Sequence, residues 1–396
     1  MDRDSFIDFN PKDVVTPAFI VDQNLLKKNL EILKRVQDNA PVKILLALKG
    51  FAMFSTFPLL REFLQGVCAS SPHEARLGRE EFQKEVHSFA AGFSENDLKE
   101  LLTLSNHIVF NSFNQWNRFQ NIVAPYIESN KVEFGIRVNP EHSEGKVAMY
   151  DPCAKFSRLG TRLTDFEKHI DGNPEKNLKG ISGLHFHSLC QQDSYALERT
   201  LKAFEEKFSK YFPYLKWVNF GGGHHITRAD YNVDHLISVL NKFHEKYKLD
   251  IYMEPGEAVA LNTGILVASV LDIIENDKQI VILDASATAH MPDVIEMPYR
   301  PEIIVNHKLA GDRDQYKYNY RLGGHSCLAG DVIGDYSFQD PLKIGDKLIF
   351  LDMAHYSMVK TTTFNGLQHP SIMLKNGNEL KLIRKFGYLD YKNKLS

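Results

Sequence analysis

No apolar run in this chain approaches the ~20 residues that a membrane span needs. The opening M-D-R-D-S-F-I-D-F is acidic and mixed, which excludes a signal peptide. Only four cysteines occur (Cys68, Cys153, Cys190 and Cys327), far apart and without a C-x-x-C pair. That spacing argues against a disulfide frame or a thiolate zinc site and fits reduced thiols in a cytoplasmic protein. A net charge of −3 gives no electrostatic case for nucleic acid or an anionic membrane as partner. No G-x-G-x-x-G follows the first strand-like run of the alternating region, and neither an internal repeat nor a low-complexity linker is visible.

What is there describes a globular chain of two domains. At 396 residues the chain exceeds one ordinary core, and 43% hydrophobic with 24% charged content is that of a soluble fold. Lys43–Gly50 reads K-I-L-L-A-L-K-G, a short apolar run suited to a strand buried on both faces, with Lys49 at its carboxyl end. Strand-like runs follow at 67–69, 86–90, 107–110, 132–138, 181–186, 216–220 and 250–253. Helix-period segments alternate with them: Thr56–Leu64, Pro72–Phe82, Glu95–Leu104, Phe113–Ile127, Tyr195–Phe208 and Val233–Tyr247. Eight strands alternating with helices predict an α/β fold, a (β/α)8 TIM-like barrel. After Gly264 the runs are strand-like with few helices, which predicts a β-rich C-terminal domain. The expected division is 23–264 for the barrel, with 1–22 and 265–396 forming the β-rich domain. The short strand Thr16–Asp22 precedes the barrel and is expected to pair with that domain. Asp22 is placed to cap a helix over Gln23–Asn39. Asn139–Gly160 is long and irregular, a length typical of a lid or binding loop.

In barrel enzymes the chemistry sits on loops at the carboxyl ends of the strands. Here those ends carry Lys49, Arg137, His185 and His187 in H-F-H, Gly221–Gly223 in G-G-G, and Glu254 and Glu257 in E-P-G-E. Each has a plain structural reading. Lys49 can snorkel at a strand end, His187 can be a hydrogen-bonded wall residue, the glycines can form a turn, and Glu254 can pair with Lys49 or Arg137. A metal-dependent hydrolase is an alternative suggested by H-x-H and His224-His225, but it leaves Lys49 and the glycines without roles. At one barrel mouth the set describes a pyridoxal 5′-phosphate site: an amine for the Schiff base, backbone N–H groups for a phosphate, and an acid for the pyridine nitrogen.

The motifs A-L-K-G, H-F-H, N-F-G-G-G-H, E-P-G-E, G-H-S-C-L-A-G-D and A-H-Y-S-M together resemble those of the fold-type III pyridoxal-phosphate decarboxylases. This is the alanine racemase-like group that holds the ornithine and diaminopimelate decarboxylases, and the likeness runs from T-P-A-F-I-V-D to F-G-Y-L-D-Y. The resemblance implies that Lys49 binds the cofactor, His187 stacks on its ring, and Gly221, Gly222 and Gly223 hold its phosphate. Glu254 would pair with the ring nitrogen, Arg137 would lie near the ring, and Tyr356 would reach the phosphate or ring edge. It further implies that Cys327 returns a proton to the substrate α-carbon, that Asp331 contacts a distal amine, and that the enzyme is a homodimer with shared sites. Two departures bear on the substrate: Glu257 stands where relatives carry an arginine, and Leu328 where many carry an acid. A carboxylate at 257 suits extra ammonium groups, so the expected substrate is a longer carboxylated polyamine. An ornithine- or diaminopimelate-type decarboxylase and a decarboxylase-like regulator without activity are the alternatives. Which of Asp293, Glu296, Tyr299 and Arg300 faces substrate stays open.

Overall fold

The computed structural model describes residues 6–145 and 151–396, and it divides into two compact units. One unit is Asn29–Val259; the other joins the chain up to Lys28 with Ala260–Ser396. Residues 146–150 of the irregular Asn139–Gly160 stretch lie outside the described residues.

After β1 (Ala18–Asp22), eight strands alternate with helices. They are β2 (Val42–Ala47), β3 (Gly66–Ala69), β4 (Glu85–Phe89), β5 (His107–Phe110), β6 (Glu133–Arg137), β7 (Ile181–His185), β8 (Trp217–Asn219) and β9 (Asp250–Met253). All are parallel, and β2 pairs with both β3 and β9, so the barrel predicted from the alternation closes. The expected helix over Phe113–Ile127 is two helices, Phe113–Arg118 and Gln120–Glu128. At Phe119, between them, ψ opens to 9° while the buried ring reaches Phe110 at 6.4 Å.

Two-residue alternation along the strands decides what fills the barrel. Leu45, Val109, Trp217 and Tyr252 pack as one interior cluster, with Phe89 against it. The Trp217 indole fits because β6 and β7 present glycine beside it. A Cβ on Gly183 would lie 2.1 Å from Trp217 Cδ2, and one on Gly135 2.4 Å from its Cη2. At the amino end the filling turns polar. Lys43 Nζ donates to Glu85 Oε1 and to the Tyr252 hydroxyl, both at 3.1 Å, and the His87 and His107 rings stack at 3.9 Å.

The other unit is a ten-stranded sheet. β10 (Gly264–Glu275) lies antiparallel to β1, β11 (Gln279–Leu283) and β16, and the sheet continues through β12 (Ile303–Val305), β13 (Lys308–Leu309), β14 (Tyr318–Gly323) and β15 (Val332–Phe338). β16 (Lys347–Leu351), β17 (Ser371–Asn376) and β18 (Glu379–Arg384) complete it, with β1 parallel to β17. The early strand therefore does belong to this sheet. Asp22 ends it and caps the helix Gln23–Asn39: its Oδ1 accepts the N–H groups of Asn24 and Leu25, while Oδ2 pairs with Lys375 at 2.6 Å.

Because the indole occupies the space a side chain on β7 would need, Gly183→Ala forces Trp217 and the start of β8 to shift. Overpacking of this kind costs ~1–3 kcal/mol, and a urea unfolding curve should show that loss. An unchanged midpoint would contradict the packing described.

Candidate active site

The carboxyl ends of the barrel strands bring most of the anticipated residues to one mouth. β2 stops at Ala47, and Lys49 lies two residues on in the turn, exposed rather than half-buried. That turn is braced by the Ala47 N–H, which donates to Pro255 O at 3.2 Å in the turn after β9. The positive charge of Lys49 is felt at Cys68, Glu74, His185, His187 and Cys190, residues from two distant stretches of the chain.

Glu254 follows β9 on the same inward alternation as Tyr252. Neither Lys49 nor Arg137 is its hydrogen-bonding partner. Its Oε1 accepts the Asn219 amide at 2.7 Å, and its Oε2 lies 3.4 Å from His185 Nε2. Burial by itself would raise this carboxyl, but His185 and the Asn219 donor outweigh it and hold it down to about 2. Glu254 is therefore a carboxylate at neutral pH. His185 is buried; burial lowers its own value, and the Glu254 carboxylate beside it opposes that.

His187 accepts the Gly222 N–H at Nδ1 (2.7 Å), which puts the ring proton on Nε2. Burial, then the charges of Lys49 and Arg137, push it well below its ordinary value, so it is neutral. Arg137 donates to His187 O at 3.0 Å and stacks over Phe89 at 4.6 Å; burial lowers it to about 10, still charged at neutral pH.

The glycine turn has room for no side chain. A Cβ on Gly221 would meet Phe186 O at 2.4 Å, one on Gly222 Glu254 O at 2.5 Å, and one on Gly223 Leu189 O at 1.9 Å; Gly221 and Gly223 also have φ of +65° and +84°. The Gly221 N–H donates to Asn219 Oδ1 at 2.8 Å. With Gly222 held by His187, Gly223 carries the one N–H of the three without a partner among the described residues. Beside the turn, Glu257 accepts Gln191 Nε2 at 2.9 Å and lies 3.2 Å from His225 Nε2.

The β-sheet unit holds the other anticipated residues. Cys327 is exposed, and its N–H donates to Asn365 Oδ1 at 2.8 Å. Tyr356 is half-buried in a turn at φ +21°, with its ring 6.1 Å from His355. Asp331, expected to meet a distal amine of the substrate, has donors within its own unit. It is buried, and its carboxylate accepts the Ser286 hydroxyl (2.8 Å) and the N–H groups of Ala287 (2.7 Å), Thr288 and Ser326 (both 3.3 Å). Asp293 is likewise engaged, by the hydroxyls of Tyr299 (2.8 Å) and Ser357 (2.9 Å).

Asn219, Gln191 and His225 were not anticipated. Asn219 had a signal: in W-V-N it shares the inward alternation with Trp217, so it is a polar residue pointed into a core. The contacts of Gln191 and His225 cross between loops, and spacing carries no trace of them.

A lysine at a strand end, a glycine cradle that any Cβ would fill, and a buried carboxylate held ionised fit a flat, phosphate-bearing pyridine. The family described as "Pyridoxal-dependent decarboxylase, C-terminal sheet domain" matches residues 18–354, and this chain belongs to it. Among its relatives, the carboxynorspermidine/carboxyspermidine decarboxylase of Campylobacter jejuni is 47% identical over 386 residues, covering 96% of this chain and 98% of that one. The carboxyaminopropylagmatine decarboxylase of Synechocystis is 45% identical, covering 98% and 97%. The crystal structure of the Campylobacter jejuni carboxynorspermidine decarboxylase complexed with norspermidine superposes with a TM-score of 0.85, at 45% identity over 96% of this chain and 100% of that one.

With Glu254 lowered from 4.5 to about 2, the folded state gains stability that is complete above the ordinary carboxylate range and lost as pH falls through about 2. At ~1.4 kcal/mol per unit this is ~3 kcal/mol. The gap in unfolding free energy between wild type and Glu254→Gln should therefore be constant above about pH 5 and shrink as the solution is acidified. A gap that widens on acidification would contradict the assignment.

Proposed function

We propose that this protein is a pyridoxal 5′-phosphate-dependent decarboxylase of carboxylated polyamines, releasing carbon dioxide from carboxynorspermidine or carboxyspermidine. The observation that carries the proposal is the charge arrangement at the barrel mouth. A lysine in the turn after β2 puts its charge on His185 and His187, and a carboxylate beside them is kept ionised next to a turn built only of glycine. The near-full-length likeness to two decarboxylases of carboxylated amines supports the same reading.

In this reading Lys49 would hold the cofactor through its amine, Gly223 and the turn around it would receive the phosphate, and Glu254 would meet the ring nitrogen. When bound, the ring supplies a sink for the electron pair left as carbon dioxide departs. Glu254 keeps the proton at the ring nitrogen, because a carboxylate with a value near 2 does not take that proton for itself. His187, neutral and fixed by Gly222, offers a flat uncharged face, and Arg137 anchors that histidine through its carbonyl. Cys327, an exposed thiol, is assigned the return of a proton to the α-carbon, in a homodimer whose sites are shared. Tyr356 is assigned to the cofactor phosphate or ring edge.

Glu257 is assigned the substrate's distal amines, with Gln191 and His225 setting its position. Asp331 is assigned a structural role, since four donors of its own unit already occupy its carboxylate. The Synechocystis relative supports a second reading, in which the far end of the substrate is a guanidinium; a carboxylate at 257 serves either cation. Four free cysteines suit a cytoplasmic enzyme.

Side-by-side carbon dioxide release from carboxynorspermidine, carboxyspermidine, carboxyaminopropylagmatine and diaminopimelate tests the substrate class. A carboxylated polyamine should have the highest kcat/KM, and a preference for diaminopimelate would overturn the reading. Lys49→Ala should lose both the visible absorbance of bound cofactor and turnover; retained colour would show that another lysine holds it. Glu257→Gln should raise KM for the polyamine ~10-fold or more with kcat little changed, as loss of a charge-assisted contact worth ~1.5–3 kcal/mol requires. An unchanged KM would remove Glu257 from the substrate site.

A further inference from the structure

Asn219 is buried at 1% exposure on the last position of β8, and both ends of its amide are engaged. Oδ1 accepts the N–H of Gly221, the first residue of the glycine turn, at 2.8 Å; Nδ2 donates to Glu254 Oε1 at 2.7 Å. An N–H can only donate, so the Gly221 contact fixes which end of the amide is oxygen and turns the NH2 end toward the carboxylate. Few side chains satisfy both demands. Aspartate matches the shape and accepts from Gly221 but presents an oxygen to Glu254. Leucine matches the size and offers neither bond. The other carboxylate oxygen is set by His185, fully buried on β7 with neither ring nitrogen in a hydrogen bond and Nε2 at 3.4 Å. Cys68 from β3, His87 from β4 and Arg137 from β6 also face Glu254, and the charge of Lys49 reaches Cys68 and His185.

We propose that Asn219 is a positioning residue that couples the anion-binding turn to the ring-nitrogen acid, fixing at once their separation and the charge of Glu254. One side chain thereby serves two ends of one ligand, the phosphate at the glycine turn and the pyridine nitrogen at Glu254. The inference rests on reading this mouth as a pyridoxal-phosphate site. It predicts that disturbing Asn219 weakens retention of the cofactor and alters ring protonation together, where a merely structural residue would alter only stability.

Two variants test it. Asn219→Asp keeps the shape and the Gly221 contact but sets a carboxylate against Glu254, so that the pair shares one proton. In protein loaded with pyridoxal 5′-phosphate, its visible spectrum should titrate between about pH 6 and 9, where the wild type is flat, and kcat should fall ~10–100-fold with KM unchanged. Asn219→Ala should lose cofactor on dialysis at least ~10-fold more readily while its circular dichroism stays native. A spectrum, kcat and cofactor retention equal to wild type in both variants would overturn the proposal, as would a lowered melting temperature with all three unchanged. A readout free of the cofactor is the 13C-carboxyl titration of Glu254 in unloaded protein. Asn219→Asp should move its midpoint up by ~2 units or more, and no movement sinks the coupling. Should wild type itself fail to take up pyridoxal phosphate, the functional reading falls, and the Glu254 titration alone decides whether Asn219 controls that carboxylate.

Discussion

A carboxylate buried at the mouth of a barrel is expensive, because removing an ion from water costs several kcal/mol even after relaxation. Glu254 is kept ionised there by the Asn219 amide on one oxygen and His185 beside the other. Those contacts carry geometric consequences. Asn219 must stay in line with Gly221, so β8 ends where the glycine turn begins, and His185 must stay on β7, one residue pair before His187. The Gly222 contact then fixes His187, and Arg137 fixes the same histidine from β6. A chain of hydrogen bonds through four neighbouring strands thus sets the shape of the mouth from the needs of one charge.

The barrel interior is layered to suit. At the amino end Lys43, Glu85, Tyr252 and the stacked His87 and His107 form a polar plug. Above it Trp217 fills the middle because Gly135 and Gly183 leave space on the strands beside it. The carboxyl end is left for polar and charged groups: Arg137, His185, Asn219 and Glu254. A rigid indole beneath these groups keeps them from relaxing inward, which is how the packing link of the chain reaches the chemistry.

The barrel was legible because the strands are short and apolar and six of the eight are followed by an expected helix-period segment, and all eight runs mark real strands within a residue or two; the helix Leu163–Ile170 after β6 was not among those expected. The pairing of β1 with the later sheet followed from its position before the barrel. That Lys49, His187, the glycines and Glu254 lie at the carboxyl ends of the barrel strands was legible because each directly follows an apolar run. Asn219 was passed over because a single polar residue in W-V-N looks like a strand end, and only the fold shows it facing Glu254. The partners of Asp331 were hidden for the opposite reason. It sits in G-H-S-C-L-A-G-D beside Cys327, and sequence cannot show that Ser286 and three amides, around 45 residues away for Ser286, already hold its carboxylate. Helix breaks such as Phe119 depend on tertiary packing and leave no local mark.

The mouth holds a second carboxylate, Glu257, set by Gln191 and His225 beside the glycine turn. Under the proposed function two acids share one mouth, with Glu254 assigned to the ring nitrogen and Glu257 to the cationic tail of a substrate. The proposed chemistry depends on the first. The most direct test is the 15N chemical shift of the ring nitrogen in protein loaded with 15N-labelled pyridoxal 5′-phosphate, followed with pH. The account predicts a protonated nitrogen across the whole range in which the protein is folded and Glu254 ionised. A nitrogen that loses its proton in wild type near neutral pH, as it would opposite a neutral partner, would contradict it.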